Sequence, residues 1–500
     1  MKRLYAATAL ALVMCGNKQD PDIIYTSKGE VFTSRVVASN LSDPWEVAYG
    51  PDSTLWVTEA KGYRVSRINP ATGAKKILLN LEHAKNFSRN DMEGGWGEGK
   101  PWPQGGLMGL ALHPQLPGSK PYVYVAFAYH FKAAKARGSG CAENSRGCFF
   151  LTKIVRYRYE PKTDTLVDPQ VLCDTIPGSN DHNAGRLLIA PVDGKDYLFF
   201  SIGDMGAGQF NNAARPNHAQ QVNYYEGKIL RFNTEPDNDS GALDKWIPDN
   251  NPFNTTKQNA VWTYGHRNAQ GLAYAVQGGA GKMYSSEHGP FSDDEINIIE
   301  KGKNYGHPLV IGYADGNYDG LAAGATDQRQ VPGRWHTSYP DIVSEQSNAK
   351  AMGADYRNPV KSYFATPNRI LKDVLNETRN RGYADWTSVA PSSIDVYTSS
   401  AIPGWQNSLL IPTLKTGELI RVKLNEMGDG IVGDTMSYFK AHVRYRDVAI
   451  SHDGKKIYMA MDSSTYSSGP TQGRGTASNC RGCIVEYTYQ GKGNKLKAEQ

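Results

Sequence analysis

The sequence is poorest in the features that would assign it at once. Beyond the first fifteen residues no apolar run is long enough to cross a bilayer, which argues against a helical membrane protein. No basic tract stands out, and 55 Lys and Arg against 50 Asp and Glu leave a net charge of only +5 over 500 residues, so nucleic acid is not an expected partner. No strand–GxGxxG–helix unit is present, which removes the usual cradle for a nicotinamide dinucleotide. Helical periodicity is almost missing. Cysteine is scarce, at six residues, and the single CxxC, Cys480 and Cys483, has no nearby histidine to complete a four-ligand zinc site.

The cysteines that exist say something about compartment. "MKRLYAATALALVMC" opens with Lys2 and Arg3, followed by an apolar run from Leu4 to Met14. That pattern fits an export signal and is too short for a transmembrane helix. Cys15 resembles the lipid-attachment cysteine of bacterial lipoproteins. Met14 is larger than the residue usually found before it, so plain secretion is the alternative. In an exported chain, Cys141 with Cys148 and Cys480 with Cys483 read as local disulfides, and Cys173 as a buried free thiol. The expected organisation is a signal over 1–15, one domain over 16–490 and a polar tail over 491–500. The expected location is the periplasm, free or tethered through Cys15.

What is plentiful is turn and strand chemistry: 51 Gly, 27 Pro and 29 Tyr, with apolar residues at 39%. One phrase recurs: an apolar strand, a Pro/Asp/Gly turn, a second apolar or aromatic strand, then a third carrying Arg or Lys. Its copies begin with "WEVAYGPDSTLWVTEA" (45–60), "GLMGLALHPQ" (106–115), "GRLLIAPVDGKDYLFFSIGD" (185–204), "QGLAYAVQGGAGKMYSSEHGP" (270–290), "SSIDVYTSS" (392–400) and "RDVAISHDGKKIYMAMDSS" (446–464). Six copies of a three- to four-strand unit point to an all-β, six-bladed β-propeller. The uneven spacing falls into long loops at 131–148, 234–258 and 314–385.

In a propeller the polar residues before each copy's first strand meet around one axis. Gln104 precedes the second copy, Asp181 and His182 the third, and His266, Arg267, Asn268 and Gln270 the fourth. Tyr383 and Trp386 precede the fifth, Arg444 and Arg446 the sixth. Lys415 sits in the turn "PTLKTG", and Asp204 ends the strand paired with the one after His182. Arg267, Lys415, Arg444 and Arg446 together ask for a planar polyanion, because guanidinium forks match carboxylates. Trp386 offers a face for a flat ring system. His182, leaning on Asp181 or Asp204, suits proton abstraction from a hydroxyl. The turns in "SSEHGPFSDDEINII" and "KGKNYGHPLVIGYADG" carry hard oxygen donors of the kind calcium prefers.

At these residues the sequence resembles the soluble glucose dehydrogenases that depend on pyrroloquinoline quinone (PQQ), and the wider aldose and sorbosone dehydrogenase group. The matching phrases are "DHNAGRLLIAP", "YGHRNAQGLAY", "GPFSDDEINII", "KGKNYGHP", "SVAPSS", "LLIPTLKTG" and "RYRDV", in order across roughly residues 30–490. The resemblance implies a six-bladed propeller that oxidises an aldose at C1 and passes electrons to an external acceptor. It assigns His182 as the base, Asp204 as the group that orients it, and Arg267 as the cation against the quinone oxygens. Gln104 and Asp181 would contact the sugar. Lys415, Arg444 and Arg446 would hold the cofactor carboxylates, with Asn268, Tyr383, Trp386 and Ser388 completing the cradle. One calcium would sit on the carbonyls of Gly289 and Pro290. A second would use the carbonyls of Ile311 and Tyr313 and the carboxylate of Asp315, with a glutamate that has no assignable position in 330–380. Departures from the pattern are His288 for a glutamine, Ser388 for a threonine and Thr387 for a proline. The sugar and the assembly, a homodimer included, are left open. The alternatives are a calcium-dependent lactonase propeller, which wants converging Asp, Asn and Glu, and a non-catalytic glycan-binding propeller.

Overall fold

The computed structural model describes residues 22–87, 101–137, 140–141, 146–463 and 480–493. The segment read as an export signal, and Cys15 with it, lies outside them. Six antiparallel sheets follow one another along the chain. The first comprises Pro44–Tyr49, Leu55–Glu59, Arg64–Ile68 and Lys75–Asn80; the second Leu107–Leu112, Tyr122–Phe131, Phe150–Glu160 and Thr165–Gly178. The third comprises Leu187–Val192, Lys195–Ile202, Lys228–Asn233 and Val261–Tyr264; the fourth Ala269–Gln277, Ala280–Glu287, Asp294–Ile298 and Lys361–Tyr363. The fifth comprises Asp395–Tyr397, Ser408–Pro412, Leu419–Lys423 and Met436–Tyr438.

The sixth sheet closes the ring. Tyr445–Ile450, Lys456–Met461 and Cys483–Lys492 pair onward with Glu30–Ala38 and Asp22–Tyr25, so both ends of the described chain share one blade. Arg35 stands opposite Glu486 across that seam and its guanidinium meets the carboxylate at 2.8 Å. The seam pairs Glu30 with Lys492, the second residue of the stretch 491–500 read as a polar tail. The first strands of consecutive blades contact one another all the way round. The molecule is a six-bladed β-propeller, and the six sequence copies are its six blades.

Local chemistry explains the turns. In the third blade Val192 pairs with Lys195, and the two residues between them, Asp193 and Gly194, both have positive φ (51° and 78°), the Asp-Gly conformation whose twist suits a tight hairpin. Between blades the core is aromatic: Phe32, Trp405, Tyr438, Phe439, Tyr445 and Tyr487 fill the space between the fifth blade and the closing one. Cys141–Cys148 and Cys480–Cys483 are disulfides. Cys173 is half-buried rather than buried.

The stretch 314–385 is not the plain loop its composition suggested. It carries helix α1, Glu345–Met352, capped by the Ser344 hydroxyl, which accepts from Ser347 N, and helix α2, Asn368–Arg381, ended by Gly382 in the left-handed region. Leu371, Leu375 and Thr378 of α2 are buried, with the two leucines against a cluster that includes Phe291, Tyr318, Trp335 and Tyr339. This sub-layer stands beside the axial cavity.

Candidate active site

The entrances of the first strands converge on a cavity of about 370 Å³. His182 lies on its wall, buried, and its Nδ1 is 2.6 Å from Asp204 Oδ1. An ionised carboxylate only accepts, so Nδ1 donates to it, which leaves Nε2 as the ring nitrogen on the cavity side. The Gln209 amide nitrogen sits 3.0 Å from that Nε2 and so marks where a substrate hydroxyl would stand. The chain threads tightly here. A side chain at Gly203 would place its Cβ 2.1 Å from the His182 carbonyl oxygen, so that position accepts only glycine.

Asp204 is fully buried behind His182. Burial alone would raise its carboxyl; the rings of His182 and His307 outweigh that and hold it below the usual carboxylate range. Its other oxygen accepts from His307 Nε2 at 2.9 Å, Tyr339 OH at 3.0 Å and Asn217 Nδ2 at 3.0 Å. On the cavity side, Gln104 Nε2 and Gln209 Nε2 donate to the two oxygens of Asp181 at 3.2 and 2.7 Å. Gln209 also accepts from Arg267 Nη2 at 2.9 Å. Acid, base, amide and guanidinium thus form one connected wall.

Further cations line the same cavity. Arg444 Nε and Arg446 Nη2 both donate to Asp462 Oδ2, at 3.2 and 2.7 Å, and Arg446 Nη1 donates to Gln270 Oε1 at 3.0 Å. Lys61, with its Nζ 3.8 Å from Asp43, adds a fourth cation to the lining alongside Arg267. Burial and the like charge of Asp462 push the Asp43 carboxyl up to about 7. Tyr383, Trp386, Ser388, Gly289 and Pro290 also line the cavity.

Two expected cofactor contacts are placed elsewhere. Lys415 does not line the cavity; its ammonium is held by Asp385 at 3.0 Å and by the Trp386 carbonyl, 4.9 Å from the indole centroid, so it clamps the Trp386 loop from outside. Asn268 stands behind the wall, accepting from Ala184 N at 3.1 Å. Its sequence neighbour Arg267 lines the cavity, in the turn just before the strand Ala269–Gln277.

The turns read as hard-oxygen sites are rigidly held. Asp294 accepts from Gly289 N, Ser388 Oγ and Val389 N at 3.0, 2.7 and 2.7 Å, tying the Gly-Pro turn to the entrance of the fifth blade. Burial raises its carboxyl to about 6. Within 330–380 one glutamate reaches the 311–318 turn: Glu345, the first residue of α1. It is buried, accepts from Ile311 N at 2.9 Å, Gly316 N at 3.0 Å and Tyr318 N at 3.2 Å, and burial raises it to about 7. Asp315 is exposed on the same turn. Gln209, Lys61, His307 and Tyr339 escaped the sequence reading because they lie in loops outside the repeated phrase, Glu345 because it opens a helix the sequence did not reveal, and Asp462 because it follows a second strand instead of preceding a first one.

The chain matches the family model described as glucose/sorbosone dehydrogenase over residues 41–349 and 344–467. It is 33% identical over 495 residues to quinoprotein glucose dehydrogenase B of Acinetobacter calcoaceticus, covering 94% of each chain. It is 26% identical over 438 residues to the aldose sugar dehydrogenase YliI of Escherichia coli K12, covering 86% of this chain and 90% of that one. In fold it is similar to the PQQ-bound aldose sugar dehydrogenase of Streptomyces coelicolor (TM-score 0.56, 24% identity, 91% and 97% covered). It is likewise similar to the apo aldose sugar dehydrogenase of E. coli (TM-score 0.58, 22% identity, 92% and 100% covered). The repeated blades, the His182–Asp204 wall and this match lead to one conclusion: the chain belongs to the glucose/sorbosone dehydrogenase family and is a sugar dehydrogenase.

Proposed function

We propose that the protein oxidises an aldose at C1 to the lactone, with PQQ and calcium as cofactors. The observation that carries this reading is the His182–Asp204 pair facing a cavity that Arg444, Arg446 and Lys61 also line. The residues present fit a flat, polycarboxylate cofactor. Among the described residues, Arg267 Nε and His288 Nε2 have no hydrogen-bond partner although both are buried at the cavity wall. Burial, with the charge of Arg267, holds the His288 ring well below its ordinary proton affinity, so a neutral imidazole is available there.

Each residue then has a task. His182 takes the proton of the anomeric hydroxyl on Nε2, and Asp204 holds the ring and stabilises the imidazolium. Gln104 and Asp181 bind sugar hydroxyls beside it. Arg267 stabilises negative charge developing across the cavity, and Arg444 and Arg446, already fixed by Asp462, hold carboxylates. When bound, PQQ supplies the hydride acceptor and calcium on the carbonyls of Gly289 and Pro290 supplies a Lewis acid. Glu345, Asp315 and the carbonyls of Ile311 and Tyr313 suit a second, structural calcium. Electrons leave to an external acceptor. A lactonase would need carboxylates converging on the axis, where this cavity presents cations. We further propose export to the periplasm on the strength of Lys2, Arg3 and Leu4–Met14, with Cys15 as the lipid-attachment position.

The test is reconstitution. Cofactor-free protein given PQQ and calcium should oxidise aldoses with bleaching of the oxidised quinone band, whereas NAD in place of PQQ should give nothing. Aldose oxidation with NAD alone would overturn the reading.

A further inference from the structure

Asp204 carries more hydrogen bonds than orienting one histidine requires. Oδ1 accepts from His182 Nδ1 at 2.6 Å and from Gly206 N at 3.0 Å. Oδ2 accepts from His307, Tyr339 and Asn217, each within 3.0 Å. These donors come from three separate places: His307 from the turn after the fourth blade's third strand, Tyr339 from the 314–385 insertion, and Asn217 from a third-blade loop. Neither ring is replaceable by generic packing, because each brings a polar atom to a carboxylate with no access to water.

We propose that His307 and Tyr339 are positioning residues that lower the proton affinity of His182 by sharing the Asp204 carboxylate with it. The inference rests on His182 being the base. Donors on Oδ2 draw carboxylate charge away from Oδ1, the oxygen that would stabilise the imidazolium. The base is therefore kept neutral at a lower pH than an undivided aspartate would allow.

The charge state of His307 follows from its surroundings. Its Nε2 must carry a hydrogen to meet the carboxylate, and its Nδ1 is buried with no partner among the described residues. A second proton would be a buried charge with an unsatisfied donor. Burial accordingly lowers its proton affinity, and the ring acts as a neutral donor. The other charged and titratable groups facing this pair are Asp181, with an oxygen 3.9 Å from His182 Nε2, Arg267, His288, Glu287 toward His307 and, toward Asp204, Arg215. None of them donates to Oδ2.

Tyr339 also braces the loop that carries Gln209. A Cβ on Gly208 would lie 2.5 Å from the Tyr339 ring. Beside it the Thr337 hydroxyl donates to the Gly208 carbonyl at 2.5 Å, and Ser338 N donates to the Ala213 carbonyl at 2.8 Å. The ring supplies the packing and the hydroxyl supplies the hydrogen bond, so the two roles can be separated by Tyr339→Phe.

The experiment follows the His182 ring by NMR in cofactor-free, histidine-labelled protein, its resonance identified by its loss in His182→Ala. It also follows the pH profile of quinone reduction by aldose in the reconstituted enzyme. Tyr339→Phe and His307→Phe should each raise the His182 titration midpoint by about 0.5–1 pH unit. The rising limb of the reduction rate should shift to higher pH by the same amount. His307→Gln, which retains a donor near the Nε2 position, should return the midpoint toward wild type. A purely structural pair would lower the melting temperature and leave the midpoint in place. Midpoints within 0.2 unit of wild type in folded Tyr339→Phe and His307→Phe would overturn the proposal. His182→Ala separates the two ideas: it should cut quinone reduction by about two to four orders of magnitude. Near-normal reduction by that variant would instead overturn His182 as the base.

Discussion

His182 combines a catalytic geometry with an unusual backbone. Its φ is +50°, Ala184 has +46° and Met205 +67°, all in the left-handed region that non-glycine residues enter at a cost. The surrounding hydrogen bonds hold them there: Asn183 is tied to Gln104 and Ser179, and Asp204 N donates to the Arg267 carbonyl at 2.8 Å. The cation wall is similarly fixed in advance, and here two residues that look equivalent in the sequence differ. Arg444 lines the cavity on a buried carboxylate, whereas Lys415 clamps the Trp386 loop from outside. Arg444→Ala should therefore weaken PQQ binding by about 2–5 kcal/mol, the range for removing one member of a desolvated charge pair. Lys415→Ala should cost well under half of that, through a loosened Trp386. Isothermal titration of cofactor-free protein reads both, and equal losses would place Lys415 on the cofactor after all.

At the scale of elements, the closing strand Glu30–Ala38 decides whether the ring is shut. Phe32 on that strand is fully buried and packs against Trp405 at 5.7 Å, Phe439 at 5.0 Å and Tyr489 at 5.6 Å, so it joins the fifth blade to the sixth. Phe32→Ala should destabilise the protein by about 3–5 kcal/mol, the cost of a large cavity in an aromatic core. Urea unfolding followed by tryptophan fluorescence should show a lower midpoint. A loss below about 1 kcal/mol would mean that the seam can open without the rest. This strand was not legible from the repeat, since its partner lies more than four hundred residues away and no local signal records a long-range pairing. The six copies themselves were legible because each carries its own alternation and turns. So were Asp181, His182 and Arg267, which sit at a fixed offset from a repeated strand. Helices α1 and α2 were hidden for a different reason: α2 buries only Leu371, Leu375 and Thr378, too short a stripe to stand out in a polar stretch. Glu345 was lost with them.

For the whole molecule, carboxyls held above their ordinary range make stability depend on pH in an unusual direction. Asp43 and Asp395 are both pushed up to about 7, chiefly by burial, with added like charge from Asp462 and Asp447 respectively. A carboxyl whose folded pKa lies above its unfolded value binds more protons in the folded state between those two values. Stability then falls as pH rises through that window, here from about 4 to about 7, by up to about 1.4 kcal/mol per pH unit per group. Asp204, depressed instead, contributes the opposite sign, and only below the ordinary carboxylate range. Metal-free protein should therefore unfold at lower temperature at pH 8 than at pH 5.5. On the calcium reading proposed above, Glu345 would tie the same effect to the metal, because a cation beside its carboxylate would remove the reason for it to hold a proton. Calcium at about 100 times its Kd should add about 2.7 kcal/mol at pH 8, and less at pH 5.5 where protons compete. Glu345→Gln should lose the part of the calcium response that belongs to the 311–318 turn. Its one amide oxygen can still accept from that turn, while its NH2 replaces the other acceptor, so the metal-free melting of the variant is the baseline for its calcium response. Melting curves at both pH values, with calcium and with chelator, give four numbers per protein. A metal-free stability that is flat or rises toward pH 8, or a Glu345→Gln variant with an unchanged calcium response, would show that these buried acids are compensated by groups other than the ones named.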